Sequence, residues 1–71
     1  MELLGTLPPD QVRIILAFLD KERLQHSIQP ETTWVGQTNV PTGRIHVFAQ
    51  SMDAMQQIRY AAEVVPHLMG G

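Results

Sequence analysis

Val12-Arg13-Ile14-Ile15-Leu16-Ala17-Phe18-Leu19 decides the fold. Val12, Ile15, Leu16 and Leu19 fall at i, i+3, i+4 and i+7, a spacing that gathers side chains on one side of an α-helix and on neither face of a strand. Ile14 and Phe18 widen that stripe. Just upstream, Pro8-Pro9-Asp10 suits a helix start, because the N–H that proline lacks has no intrahelical partner in the first turn. Asp10 is attracted by the N-terminal dipole, and Lys21 and Arg23 stand near the C-terminal end, where the dipole favours cations. The predicted helix covers 9–23, with no glycine to mark its end.

The segments on either side read as strands. Residues 2–7 alternate weakly and form strand one, with Leu3 or Leu4 facing inward. His26-Ser27-Ile28-Gln29 begins strand two, and Thr32-Thr33-Trp34-Val35, rich in β-formers, resumes it after Pro30. The expected span is 26–35. Residues 36–43 hold two glycines and a proline and read as a loop. Residues 44–49 form strand three, with Ile45, Val47 and Ala49 on one face and His46 and Phe48 on the other. Ser51 is a suitable N-cap for a second helix over 52–65, whose inward stripe is read as Met55, Ile58, Ala62 and Val65, limited by Pro66.

The predicted string is β-α-β-β-α in one domain, 1–71. The fold class is α+β: a two-layer sandwich, ferredoxin-like without the last strand, with a three-stranded sheet in the order 1-3-2 and two helices on one face. That order leaves strand one with an unpaired edge, open to a homodimer through strand one.

The chain has 71 residues, 44% hydrophobic and 17% charged, with net charge −2. That suffices for one small core and excludes an array of repeats or a disordered tail. Stability of about 4–10 kcal/mol is the expectation for this size. The mild acidity offers no footprint for nucleic acid. With no cysteine, thiolate metal sites and cysteine nucleophiles are excluded. No apolar run approaches the ~20 residues of a membrane span, and the N-terminus lacks the basic region of a signal peptide. A cytoplasmic location is expected.

Chemistry-bearing residues are sparse. His26, His46 and His67 show no zinc-site spacing. His26 and His46 would face each other across a hairpin, as a weak metal or proton site or simply as two surface imidazoles. Ser27 beside His26 lacks a nucleophile elbow and an orienting acid. No catalytic residue, metal or cofactor is expected. The candidate binding surface is Trp34, Arg44, His46 and Phe48, an aromatic patch on the side of the sheet without helices. The Gly70-Gly71 end resembles that of ubiquitin-like sulfur carriers, whose tail leaves a strand, whereas this one follows a helix and Pro66.

The β-α-β-β-α order, Pro9-Asp10-Gln11-Val12 running to Leu19, Ser27-Ile28-Gln29, Ile45-His46-Val47-Phe48-Ala49 and the mixed Gln, Arg and Ala character of Met55 to Val65 together resemble the N-terminal cytoplasmic domain of bacterial rhomboid intramembrane serine proteases of the GlpG type. The resemblance spans nearly the whole chain, at the level of pattern. It implies a non-catalytic accessory module that contacts a protein or a membrane surface. It also implies a tether to the inner membrane by a region outside this chain. The parent protein would be a protease, but its Ser–His dyad lies in transmembrane helices and maps to no residue here. Residues 36–43 lengthen the hairpin relative to that family. A free-standing small phage or bacterial protein that inhibits a larger target fits length and charge equally.

Overall fold

A computed structural model describes residues 1–69; Gly70 and Gly71, and with them the likeness to sulfur-carrier tails, lie outside the described residues. The elements are β1 (Glu2–Leu7), α1 (Pro9–Lys21), β2 (His26–Val35), β3 (Thr38–Ala49), α2 (Ala54–Glu63) and α3 (Val65–Met69). The sheet is antiparallel throughout, in the order β1-β3-β2. The α+β class and the strand order agree with the sequence reading.

The core forms between the helices and one face of the sheet. Val12, Ile15, Phe18 and Leu19 of α1 are buried against Val47 and Ala49 of β3, with Leu24 and Val64 closing the sides. Burying an aliphatic or phenyl side chain of this kind contributes about 1.5–3 kcal/mol. The helical stripe is therefore what holds α1 on the sheet.

The end of α1 explains how it stops without glycine. Arg23 takes the left-handed conformation, φ 57°. Its N–H donates to the Asp20 carbonyl at 3.1 Å, and the Leu24 N–H donates to the Leu19 carbonyl at 2.9 Å. This pair of bonds is the Schellman arrangement. Leu24, the residue beyond, is buried beside Leu19 in the same core. Burial of Leu24 is what makes a left-handed arginine tolerable.

Several boundaries differ from expectation: α1 ends at Lys21, two residues short of 23, because the left-handed Arg23 stops it, and larger differences fall at β3 and α2. The loop placed at 36–43 is mostly strand. β3 begins at Thr38, and Val35↔Thr38, Trp34↔Asn39, Thr33↔Val40 and Thr32↔Pro41 pair across it. Only Gly36-Gln37 turn the chain. Gly36 has φ 62° while Gln37 has none of the positive kind, the pattern of a type II′ hairpin turn. Pro41 is tolerated because β1 does not reach this part of β3. The ladder breaks once: Thr42, Gly43 and Arg44 all lie opposite Glu31, between the pairs Pro30↔Ile45 and Thr32↔Pro41. Gly43, φ 88°, allows the kink. Beyond it the hairpin is a two-stranded arm carrying none of the buried core residues. The molecule is accordingly elongated, 45 × 27 × 15 Å.

The second helix is shorter than 52–65 and turned differently. Asp53, not Ser51, is its N-cap: the Asp53 carboxylate accepts from the Gln56 N–H at 2.8 Å, and the Asp53 N–H donates to Gln56 Oε1 at 3.0 Å. This reciprocal capping box outcompetes Ser51, whose hydroxyl donates to Glu2 at 3.0 Å instead. Of α2 itself Tyr60 packs on the core, joined by Met52 ahead of the helix, Val64 at its C-cap and Leu68 of α3. Met55 and Ile58, expected inward, are 59% and 64% exposed. Pro66 ends α2 and stands in the first turn of α3.

Two ion pairs fasten α2 to the last turn of α1. Lys21 Nζ lies 3.1 Å from Glu63, and Arg59 lies 3.2 Å from Glu22, whose carboxylate side chain is almost fully covered. Between them Phe18 and Tyr60 meet edge to face, centroids 5.6 Å apart.

Candidate interaction surface

The sheet face away from the helices is uncovered. On β3, Ile45, Val47 and Ala49 point to the core, so His46 and Phe48 point away from it. Register supplies their neighbours. Phe48 lies between Leu3 of β1 and Ser27 of β2, and His46 between Thr6 and Gln29. The Thr6 hydroxyl and His46 Nδ1 share a hydrogen bond of 2.7 Å, which fixes the imidazole beside the Phe48 ring at a centroid distance of 6.4 Å. Both rings are half-buried among these neighbours. The result is a small apolar centre, Leu3 and Phe48, framed by hydroxyl, amide and imidazole groups.

Leu3 belongs to this face because of the shift in register between Leu3 and Gly5. Leu4 and Leu7 pack on the core, while Leu3 is 54% exposed opposite Phe48. The sequence pattern left Leu3 and Leu4 interchangeable. A bulge in β1 carries no local signal apart from Gly5, and Leu3 was missed as a surface residue for that reason.

Of the four residues expected to share one surface, three do. Arg44, His46 and Phe48 alternate along one side of β3. Arg44 is exposed, with its N–H donating to the Thr42 hydroxyl at 3.2 Å, and no carboxylate pairs with its guanidinium among the described residues. Trp34 does not join them. Phe48 pairs with Ser27, and Trp34 is an odd number of residues from Ser27 along β2, so strand alternation turns it to the other face. It stands on the arm, 69% exposed.

The histidines separate likewise. His26 pairs with Ala49 and His46 with Gln29, three residues apart on opposite faces, so they do not confront each other. His26 Nδ1 lies 2.9 Å from the Leu24 carbonyl, and its Nε2 lies 3.6 Å from Asp20. Ser27 faces the open side and cannot reach the imidazole of its neighbour. Among the described residues no three potential metal ligands converge.

A wide-mouthed trough of about 420 Å³ runs along α1, floored by Ile14, Ala17, Phe18 and Val64, with Arg13 and the Lys21–Glu63 pair at its rim. No helix among the described residues is long and apolar enough to cross a membrane. The arrangement suits contact with another surface: an exposed apolar centre with oriented polar groups around it, and a projecting aromatic on a separate arm. Comparisons against protein families, curated proteins and solved structures returned no match.

Proposed function

We propose that this chain is a non-catalytic interaction module, resembling the N-terminal domain of a rhomboid intramembrane protease, that modulates attached or associated membrane machinery from the cytoplasmic side. The observation that carries the reading is the uncovered sheet face centred on Leu3 and Phe48. An apolar pair held in register by three strands, rather than scattered on a loop, is a pre-organised contact surface, and little ordering entropy opposes its use. The face carries no cluster of cations, so contact with a protein is favoured over adhesion to anionic lipid. The tether and the cytoplasmic location belong to this proposal.

The arm favours a second reading, a free-standing binder that inhibits a larger protein. Residues 36–43 depart from the rhomboid-like pattern, and they are the residues that complete a projecting ribbon tipped by Trp34. The reading frame beyond Gly71 separates the two: hydrophobic spans favour the tethered module and a stop codon favours the free binder.

A direct test places a photo-crosslinking residue at Phe48, or at Ile58 on the outer side of α2, in cells of the source organism. The module predicts a discrete protein adduct from position 48 and none from position 58. Absence of any adduct from position 48 overturns the assignment of this face. Titration of the labelled domain with zwitterionic and with anionic vesicles, followed by NMR, reports lipid contact. An unchanged spectrum removes the membrane-surface version.

A further inference from the structure

We infer that the outer half of β2, Thr32–Val35, is a self-association edge, pairing antiparallel with the same segment of a second copy to join two arms into one four-stranded ribbon.

An antiparallel edge strand turns the N–H and C=O of every second residue outward, and these groups form a template for another strand. Among the described residues the sheet has three such edges, and two and a half of them are guarded. β1 carries Glu2 and the bulge between Leu3 and Gly5. The stretch of β3 beyond the reach of β1 holds Pro41, which has no N–H, and then the kink at Thr42–Arg44. The inner half of β2 has Pro30 and Glu31. Charge, proline and bulges are the devices that keep edges from pairing. Thr32-Thr33-Trp34-Val35 has none of them, and is made wholly of β-branched and aromatic residues.

Charge selects a second copy as the occupant. From Thr32 to Gly43 there is no ionisable side chain, in a chain of net charge −2. Two copies meet along the arm without apposing like charges, on an edge that, unlike that of β1, has no bulge within it. Area agrees. The molecule exposes 4979 Å², about 500 Å² more than the scaling for a compact monomer of this size. Its radius of gyration is 13.5 Å, against roughly 11 Å for a compact chain of equal length. That excess is the surface of the whole arm, of which pairing along one edge covers a part, so the interface is of the small, weakly associating class below ~1,000 Å². Pairing centred on Thr33 sets the two Thr33 side chains directly opposite, Thr32 opposite Trp34 and Val35 opposite Glu31, and brings Pro30 against Gly36, so the ribbon ends where proline can no longer donate.

Sedimentation equilibrium of the whole chain tests this, with the emission of its single tryptophan as a second readout. The mean mass is expected to rise towards that of a dimer between about 10 µM and 1 mM, as an interface of this small class implies, with Trp34 emission shifting to the blue in parallel. Thr33→Lys and Thr33→Glu each place like charges across the pairing and should weaken it at least about fivefold. Mixing the two variants in equal amounts should restore association, which also shows that both are folded. A wild-type chain that stays monomeric, a Thr33→Lys chain that associates like wild type, or a mixture that fails to recover would each overturn the inference.

Discussion

Tyr60 and Arg23 show how single side chains set local stability. The Tyr60 side chain is half-buried against Phe18, and loss of water around it raises the phenol's pKa above its ordinary value. A raised value in the folded state means that the neutral phenol is favoured by folding. That stability is fully present below the unfolded pKa and is lost as pH rises through the folded one. Urea midpoints measured from pH 8 to pH 11 should therefore fall at the alkaline end, and Tyr60→Phe, which keeps the edge-to-face contact, should flatten the fall. Arg23 is held left-handed, φ 57°, at a cost of about 1 kcal/mol relative to glycine. Glycine is also freer in the unfolded chain, which offsets part of the gain. Arg23→Gly should stabilise by about 0.5–1 kcal/mol, read as a higher denaturation midpoint with an unchanged slope.

At the scale of elements, the identity of the N-cap of α2 has a direct consequence. Asp53→Ala removes the capping box and should cost about 1 kcal/mol, whereas Ser51→Ala breaks one exposed bond to Glu2 and should stay within about 0.5 kcal/mol. Thermal unfolding of the two variants distinguishes them. The same contrast shows what was legible in the sequence. Serine and aspartate are equally good caps by type, and only Gln56, three residues after Asp53, decides between them. The facing of α2 was hidden for a related reason. Across α2 and the segments that flank it, Met52, Tyr60, Val64 and Leu68 make one apolar set and Met55, Ile58 and Ala62 another, and periodicity alone cannot choose. The core took the stripe with the aromatic ring, which Phe18 receives. By contrast α1 has one stripe only, and its face and start were readable directly. Residues 36–43 looked like a loop because glycine and proline are weak β-formers. Their conformation is imposed by pairing with Thr32–Val35, a non-local effect. The open-face residues of β3 followed from alternation, while Trp34 was separated from them by parity along β2 that becomes meaningful only once the hairpin is known to continue.

For the molecule as a whole, the division between body and arm matters most. Among the described residues, all eight that are buried in the core, from Val12 to Val64, lie outside residues 31–44. An isolated two-stranded ribbon contributes little stability of its own. Replacing Thr32–Gly43 by an Asn-Gly turn between Glu31 and Arg44 should leave a folded body, with unfolding cooperativity retained. Its radius of gyration in solution scattering should fall towards about 11 Å. Loss of cooperative unfolding would show that the arm is part of the core after all.

The two ion pairs between the helices have an effect beyond attraction. α1 presents a cation and then an anion, Lys21 and Glu22, while α2 answers with Glu63 and Arg59, one helical turn apart. Were α2 to slide along its axis by one turn, about 5.4 Å, Glu63 would arrive where Arg59 now meets Glu22, and anion would face anion. The pattern thus works as a key that admits a single docking position for a helix whose two oily sides would otherwise make its placement ambiguous.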